Sequence, residues 1–314
     1  MHDYDSFNED VLGALAGIVG EDDVLMVEPM RAHTTFKIGG PADVLVRPHD
    51  PEEAVRVLDT LAIAGAPVTV VGNGSDLLVG DRGIRGAVVL FRENMAGIEV
   101  SGGRVTAEAG ALLRDVALAA ADAGLTGMEP LWGIPATVGG ACHMNAGAYD
   151  GQTADVLESV RVYVPGEPGE KGRVREIPVA DLHMGYRKSR VHDEGLVVLS
   201  ATFRLSPANP SAIRAAMEDY QRRREEKQPL EMPSAGSTFK RPEGYFAGKL
   251  IMDSGLRGSR VGAAQVSEKH CGFVVNTGDA TARDVRALIE HIQDEVRRRF
   301  GVELETEVKQ IGEF

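Results

Sequence analysis

The sequence contains few of the residues that build disulfide frameworks and metal sites. Its two cysteines, Cys142 and Cys271, form no CxxC pair and no ligand-spaced set, so buried free thiols are favoured over a disulfide. The eight histidines are scattered and none has an HxxxH spacing, so no metal ligand is predicted. Neither a disulfide ladder nor a metal centre is therefore expected.

Long apolar runs and a basic N-terminus are also missing. No apolar run approaches the roughly 20 residues that span a bilayer. The first residues, MHDYDSFNEDV, are acidic, whereas a signal peptide begins with a basic region. We therefore expect a cytoplasmic protein. The 314 residues, 43% hydrophobic and 26% charged, suit one large or two smaller globular domains.

Positive charge is scarce as well. The chain has 34 Lys and Arg against 47 Asp and Glu, a net charge of −13. Nucleic acids and anionic membranes bind through clustered Lys and Arg, so neither is an expected partner. A small phosphorylated ligand is compatible with this charge because a few side chains and backbone N–H groups suffice to bind it.

What the chain does have is a glycine-rich stretch at residues 132–151, WGIPATVGGACHMNAGAYDG. Glycine is used where the backbone takes a positive φ or approaches another group closely, so most of this stretch is predicted to be loop and turn. Only Asp150 is acidic. Backbone N–H groups without a nearby carboxylate suit an anionic ligand. The alternative interpretation is a turn that only connects two elements.

Capping residues and apolar periodicity predict the helices. A capping box at residues 6–9 predicts a short peripheral helix to about residue 17. Asp50 and Pro51 predict a helix start, and Thr281 and Gly301 predict both ends of another. The helices are predicted near 9–17, 51–61, 112–123, 212–227 and 282–300.

Apolar and alternating runs predict the strands. A buried strand is predicted at 68–71, a hairpin turn at 101–103 and a final strand at 302–311. The mixture favours an α+β fold over a doubly wound sheet, with a domain boundary at 206–211. The strands are predicted at 68–71, 87–91, within 97–110, within 160–182, at 195–205 and at 302–311.

Five motifs, in this order, carry a resemblance to a known family. They are HTTFKIGGPADVLVRP at 33–48, VVGNGSDLLV at 70–79, GIPATVGGACHMNAGAYDG at 133–151, PSAGSTFKRPEGYFAGKLI at 233–251 and LETEVKQIG at 304–312. Together they resemble the UDP-N-acetylenolpyruvoylglucosamine reductases, flavoenzymes that make UDP-N-acetylmuramic acid for peptidoglycan. The form of the 233–251 motif is similar to the shorter subgroup.

The resemblance extends from about His33 to the end of the chain and departs from the family at two positions. Ala136 stands where the family usually has glycine, and His143 where it usually has an apolar or aromatic residue. Neither change removes a backbone donor. The implied fold is a vanillyl-alcohol-oxidase-like FAD-binding domain over 31–205, split near residue 67. An N-terminal helical segment over 1–30 precedes it, and an α+β substrate-binding domain over 206–314 follows, its last strand returning a glutamate to the site.

The resemblance also implies non-covalent FAD, with its diphosphate between residues 71–76 and 135–140. By itself the GxG at 72–74 is a weak signal that reads equally well as a tight turn, because the full GxGxxG fingerprint is absent. NADPH has no Rossmann motif here, and in the family the nicotinamide uses the substrate pocket in alternate half-reactions. The implied flavin residues are Thr35, Gly39, Val71, Gly72, Asn73, Gly74, Ser75, Asp76, Pro135, Ala136, Thr137, Gly139, Gly140, Asn145 and Gly147.

Three residues match the family's catalytic positions for reducing an enol ether. Arg187 would bind the substrate carboxylate, Ser237 would donate a proton to the α-carbon, and Glu307 would polarise the enol or hold the arginine. Without the resemblance, Arg187 reads as a surface ion pair and Ser237 as a turn cap. Lys188 and Arg190 are the competing cations nearby, Ser234 and Thr238 read as turn caps, and Glu303 and Glu305 read as solvated strand residues. Lys249 is implied to meet the substrate diphosphate, with Tyr245, Gln265 and Asn276 as further substrate-side candidates.

Two other functions compete with this one. A flavin-dependent oxidase of the same superfamily would often bind FAD covalently, and His143 is the residue that makes this worth testing. A non-enzymatic module for sugar nucleotides or flavin would not oxidise NADPH. The occurrence of Arg187, Ser237 and Glu307 in their matching motifs favours the reductase.

Overall fold

A computed structural model describes residues 7–314 of the chain. None of the helices in that part of the chain is long and apolar enough to cross a bilayer. The α-helices across residues 7–314 are α1 Glu9–Val19, α2 Pro51–Ile63, α3 Leu113–Asp122, α4 Val138–Met144, α5 Arg190–Asp193, α6 Pro210–Lys227, α7 Ala247–Asp253 and α8 Ala282–Phe300.

The strands form several small sheets and one larger antiparallel one. In chain order they are β1 Val24–Pro29, β2 Pro41–Val46, β3 Val68–Val71, β4 Leu77–Val79, β5 Ile84–Leu90, β6 Ile98–Ser101, β7 Arg104–Glu108, β8 Leu125–Thr126, β9 Gly147–Ala148, β10 Gly151–Gln152, β11 Leu157–Val164, β12 Arg173–Pro178, β13 Val197–Arg204, β14 Ser206–Pro207, β15 Arg260–Val261, β16 Ala264–Val266, β17 Val274–Asn276 and β18 Lys309–Ile311.

The chain folds into two compact units whose segments alternate along the sequence. The first unit contains residues 7–27, Asp43–Asn73 and Gly86–Arg222; the second contains Glu28–Ala42, Gly74–Arg85 and Arg223–Phe314. The sequence instead predicts contiguous regions, namely a segment over 1–30, a domain over 31–205 split near residue 67 and a domain over 206–314. Long-range contacts cause the difference, because β4 pairs in parallel with β18 and so belongs with the C-terminal unit.

The first unit is built on the five-stranded sheet of order β12-β11-β13-β7-β6. Its hairpin turn is the predicted one: Ser101 pairs with Arg104, and Gly102 takes a φ of 58°. α4 packs against β13, which places the glycine-rich stretch on this sheet. A second sheet has the order β1-β2-β5-β3.

The second unit has its core around α8, whose ends are the predicted ones. Thr281 and Asp284 form a capping box, and Gly301 ends the helix with a φ of 67°. The carboxylate of Asp81 also accepts hydrogen bonds from the N–H groups of Ala282 and Arg283, at 2.7 and 3.0 Å. This cap comes from a residue 201 positions away, so no local sequence signal predicts it.

Three predicted elements differ from the structure. The first helix begins with Asn8 as its cap, whose side chain accepts from Val11 N, and the predicted capping residue Ser6 lies outside the described residues. Leu15 is fully buried, so the helix is part of the core rather than peripheral. The strand at 68–71 is an edge strand, and only Val71 is buried, because β5 is its one neighbour in the sheet of residues 7–314.

The C-terminal segment is the third difference. Residues 302–308 are irregular, joined to residues 238–240 by an isolated bridge between Phe239 and Thr306, and β18 begins only at Lys309. A charged, alternating run predicts a strand by pattern alone, but a strand needs a partner along its whole length. Here the neighbouring segment provides one for only a few residues.

Candidate active site

The glycine-rich stretch at 132–151 contains a helix, which the prediction of loop and turn missed. α4 begins after Thr137, whose Oγ1 accepts from Gly140 N at 3.4 Å, and ends at Asn145 in the left-handed conformation (φ 45°). A Cβ at Gly139 would lie 3.1 Å from the Cβ of Ala109. Gly139 therefore serves close packing of a helix on the residue that follows β7.

This packing also changes which backbone N–H groups are available. Val138 N donates to Ala111 O at 2.8 Å, and Gly139 N donates to Ala109 O at 2.9 Å. The sequence interpretation expected free donors here, and for these two residues that was wrong. Gly140 is exposed instead, and its missing side chain leaves the surface of the first helical turn bare.

Two segments that the sequence interpretation placed at one site lie side by side in the first unit. The side chain of Asn73 donates to Pro135 O at 2.7 Å, directly after β3. A Cβ at Gly72 would collide with the Oγ1 of Thr137, so only glycine fits between the two segments. Backbone from 71–73 and from 135–140 is thereby held in contact.

These residues fit a flavin diphosphate. Gly140 presents backbone without a side chain, Gly72 lets the two segments approach each other, and residues 132–149 contain no carboxylate that would repel an anion. The indole N–H of Trp132 is buried and finds no acceptor among residues 7–314. A bound acceptor would satisfy such a donor.

Five of the expected flavin residues lie in the second unit, namely Thr35, Gly39, Gly74, Ser75 and Asp76. Thr35 N donates to Gly74 O at 3.3 Å, and Thr35 Oγ1 donates to Ser234 O at 2.7 Å. Gly74 takes a φ of 61°, and a Cβ there would collide with His33 O. The segments around 33–40, 74–76 and 233–238 are therefore joined, with Gly39, Ser75 and Asp76 among them.

The second unit also contains a cavity of about 380 Å³ between residues 29–41 and 278–281. Arg31, Lys37, Gly39 and Asp81 line it. The sequence interpretation singled out residues 37–40 but not their neighbours at 278–281. About 240 residues separate the two segments, so no local pattern could have joined them.

Arg187 sits at the tip of a tight turn in the first unit. Gly185 and Lys188 exchange backbone hydrogen bonds of 2.9 and 3.2 Å, and Arg187 takes a φ of 53°. Its guanidinium donates to Gly147 O at 3.4 Å and lies 4.9 Å from the ring centre of Tyr186. A non-glycine residue in this conformation is strained, and such strain concentrates at functional sites.

The competing cations beside Arg187 have structural partners. Lys188 pairs with Asp193 at 3.5 Å, and Arg190 pairs with Glu194 at 2.7 Å on one turn of helix. Lys188 is exposed, whereas Arg187 is half-buried. Exposed pairs of this kind contribute little to stability. The assignment of Arg187 to the ligand stays a prediction.

Ser237 lies on a segment paired with the one that carries Glu307. Glu307 N donates to Thr238 O at 2.9 Å, so the two candidates are brought together within the second unit. Thr238 makes the structural bonds: its N donates to Gly272 O at 2.8 Å, and its Oγ1 accepts from Val274 N at 3.0 Å. The half-buried Ser237 hydroxyl makes no hydrogen bond within residues 7–314. Ser237 is therefore not a turn cap there.

The three glutamates of the C-terminal segment have different surroundings. Glu303 pairs with Arg297 and Glu305 with Lys240, and both are exposed. Glu307 is half-buried. The interpretation of Glu303 and Glu305 as solvated residues agrees with these contacts, although they do not lie on a strand.

The substrate-side candidates divide into two pairs. Tyr245 is exposed, and Lys249 on α7 reaches Asp253 at 2.7 Å on the same helix. Asn276 is buried and donates to Phe36 O while it accepts from Gly278 N and Ala280 N. Gln265 is buried with contacts to Gly258, Arg260 and Glu268. The last two side chains hold the fold together, and we assign neither to the substrate.

Burial shifts the pKa of a thiol on α4 and of an imidazole beside α7. Both cysteines are free and buried, as predicted. Burial raises the pKa of the Cys142 thiol to about 12, so this thiol is no nucleophile at pH 7. Burial also lowers the pKa of His270 below its ordinary value of 6.5. Its imidazole, whose Nδ1 accepts from Gly272 N at 3.1 Å, is neutral at that pH.

Comparison with known proteins first defines a class. Residues 42–167 match the family model of an FAD-binding domain, a span that contains both segments at 71–73 and 135–140. The chain is therefore a flavoprotein. Residues 228–311 match the C-terminal domain of UDP-N-acetylenolpyruvoylglucosamine reductase.

The relatives give the particular family. A reductase of that name from Agathobacter rectalis is 51% identical, covering 93% of this chain and 95% of the relative. The one from Lachnoclostridium phytofermentans is 47% identical, covering 98% of each chain. The crystal structure of UDP-N-acetylenolpyruvylglucosamine reductase from Thermus caldophilus matches with a TM-score of 0.76 at 36% identity, over 92% of this chain and 98% of that one. The chain belongs to the UDP-N-acetylenolpyruvoylglucosamine reductase family, whose members are oxidoreductases, and its α+β fold with an FAD-binding domain is confirmed.

Proposed function

We propose that this chain reduces UDP-N-acetylglucosamine enolpyruvate to UDP-N-acetylmuramate with NADPH and non-covalent FAD. The observation that carries the proposal is the pairing of the Ser237 and Glu307 segments, in a chain whose relatives bear the name of this activity. We propose the cytoplasm as its location and small molecules as its partners. FAD and NADPH are the redox groups of this family.

FAD, when bound, supplies the hydride that reduces the enolpyruvyl double bond, with NADPH as the source of electrons. The chain's own residues provide the binding and the proton. Arg187 binds the substrate carboxylate through its planar guanidinium, which matches two carboxylate oxygens. Ser237 donates its hydroxyl proton to the α-carbon, where negative charge develops once the terminal carbon has been reduced. Glu307 polarises the enol beside Ser237.

We also propose contacts to the substrate from Lys249 and Tyr245, and contacts to the flavin from several backbone segments. Lys249 meets the substrate diphosphate by exchanging its ion pair with Asp253, an exposed pair that costs little to break. Tyr245 lies two residues before α7 and is exposed enough to pack on the ligand. The flavin residues are those of the 71–76 and 135–140 segments, with Thr35, Gly39 and Gly147.

An assay with two sugar nucleotides that differ only in the enolpyruvyl group tests this proposal. We expect NADPH oxidation with UDP-N-acetylglucosamine enolpyruvate and none with UDP-N-acetylglucosamine. Mass spectrometry should find the product heavier by the mass of two hydrogens. NADPH consumed at the same rate with either sugar nucleotide, with hydrogen peroxide as the product, would support an oxidase instead.

The flavin of the reductase should be released by acid. His143 lies with its ring centre 5.0 Å from that of His192, edge to face. After acid precipitation we expect the yellow colour in the supernatant. Colour that stays with the precipitate would show a covalent bond and point to the oxidase.

Arg187→Gly removes the guanidinium side chain while keeping a residue that accepts the left-handed backbone conformation. Because Arg187 has a φ of 53°, glycine should relieve strain and leave the free energy of unfolding unchanged or about 1 kcal/mol higher. We expect kcat/KM for the enolpyruvyl substrate to fall about 10²-fold, since a charge-assisted pair contributes roughly 1.5–3 kcal/mol. Urea unfolding and steady-state kinetics measure the two effects. Lys188→Ala is the matched control and should be near wild type. Wild-type turnover in Arg187→Gly would make Arg187 a surface residue.

A further inference from the structure

The carboxamide of Asn145 is fully engaged within the first unit. Asn145 is 1% exposed and caps α4 in the left-handed conformation. Its Nδ2 donates to Gly185 O at 2.9 Å and to Gln152 Oε1 at 3.0 Å, and its Oδ1 accepts from Ala154 N at 3.0 Å. Both of its N–H hydrogens are therefore used. This differs from the flavin contact that the sequence interpretation assigned to Asn145.

The bond to Gly185 connects Asn145 to the turn that carries Arg187. Gly185 is the first residue of that turn, and its N–H and the carbonyl of Lys188 close it. On the other side of the turn, the hydroxyl of the buried Ser189 donates to His143 O at 2.7 Å. The last turn of α4 and its cap thus hold the 185–188 turn at both ends.

We infer that Asn145 is a positioning residue that fixes the turn of Arg187 on α4. This inference rests on the proposed function, since it takes Arg187 to bind the substrate. A turn held at both ends places the guanidinium in one position, whereas a turn that lost the Gly185 bond would sample several. Binding geometry that shifts by about 1 Å costs about 10²-fold in rate.

The stiffness of the turn supports this assignment. Arg187 has a φ of 53° and Asn145 a φ of 45°, so the helix cap and the turn that the Gly185 bond connects each contain a left-handed residue. Such conformations persist only where surrounding contacts determine them. The carboxamide supplies one of those contacts and the Arg187 bond to Gly147 O another.

Asn145→Gly tests the inference because glycine accepts the left-handed conformation and removes only the carboxamide. We expect flavin content near wild type and substrate-dependent turnover lowered about 10²-fold. Asn145→Asp is the second variant. It can still accept from Ala154 N but cannot donate to Gly185 O, and we expect the same loss. Thr153→Val is the matched control, since it removes a buried bond of 2.9 Å to Ala146 O without touching the turn.

A double-mutant cycle with Arg187→Lys distinguishes positioning from a merely structural role. If Asn145 acts through Arg187, Asn145→Gly should lower turnover by less than about threefold in the Arg187→Lys background. An equal loss in both backgrounds would overturn the inference, as would loss of flavin or an equal effect of Thr153→Val. A wild-type protein that does not reduce the enolpyruvyl substrate would instead overturn the proposed function and the role of Arg187 with it.

Discussion

Ser237→Ala should leave reduction of the bound flavin by NADPH near normal and slow its reoxidation by the enolpyruvyl substrate by about 10²–10⁴-fold. That loss corresponds to roughly 3–5 kcal/mol of barrier. The reason is that a proton from the Ser237 hydroxyl is needed only when the α-carbon of the substrate carries negative charge. Stopped-flow absorbance of the flavin measures the two half-reactions separately. Ser237→Cys should recover part of the rate because a thiol also carries a transferable proton.

Thr238→Val is the matched control for this experiment. Its hydroxyl oxygen accepts from Val274 N in a buried site, so its loss should lower the stability of the fold without slowing reoxidation selectively. A Ser237→Ala protein that loses stability and slows neither step would assign Ser237 to the structure. One that also fails in the NADPH step would assign it to flavin binding.

Gly140→Val should yield a folded protein that is largely colourless. Gly140 is exposed, and a Cβ there makes only an ordinary van der Waals contact, with Thr137 Oγ1 at 3.6 Å, so we expect the helix to tolerate the substitution. It would cover the bare backbone on which we propose that the diphosphate lies. The ratio of flavin absorbance to protein absorbance, together with the thermal unfolding midpoint, measures the effect.

Two other glycines act as controls for Gly140. Gly17 is an exposed helical glycine with no atom within 4 Å of a Cβ, so Gly17→Val should keep its flavin. Gly139→Val should lose stability because of its contact with Ala109. A fully yellow Gly140→Val protein would show that the diphosphate lies elsewhere.

Elements with local end signals could be predicted from the sequence. Helix α8 begins and ends where Thr281 and Gly301 indicate, and α2 begins after Asp50, whose side chain accepts from Glu53 N. Caps act within a few residues, so a single sequence contains the whole signal. The strands around residues 98–108 and 197–204 are also predictable, because their apolar pattern is a local signal too.

The failures share a non-local cause. Glycine density argues against a helix at 138–144, but Gly139 serves packing against Ala109, a residue thirty positions earlier. The alternating charges of 302–308 predicted a strand, but the partner segment at 238–240 pairs with it at few positions. The segments of the two units alternate along the chain because β4 pairs with β18 and because Asp81 caps α8, and both interactions join distant residues.

The candidate site was predictable in its residue types and not in its contacts. Motif resemblance named Arg187, Ser237 and Glu307, and these roles stay predictions. The structure adds an observation on each: the left-handed turn residue Arg187, the Ser237 hydroxyl that makes no hydrogen bond within residues 7–314, and the half-buried position of Glu307. The contacts of Asn145 could not be predicted, because its partner Gly185 is 40 residues away.

The most direct measurement of the central claim is an anaerobic titration of the purified protein, followed in the visible spectrum. The account predicts a yellow protein that one equivalent of NADPH bleaches and that UDP-N-acetylglucosamine enolpyruvate then recolours without oxygen. A protein without flavin would contradict it, and so would a bleached protein that only oxygen recolours.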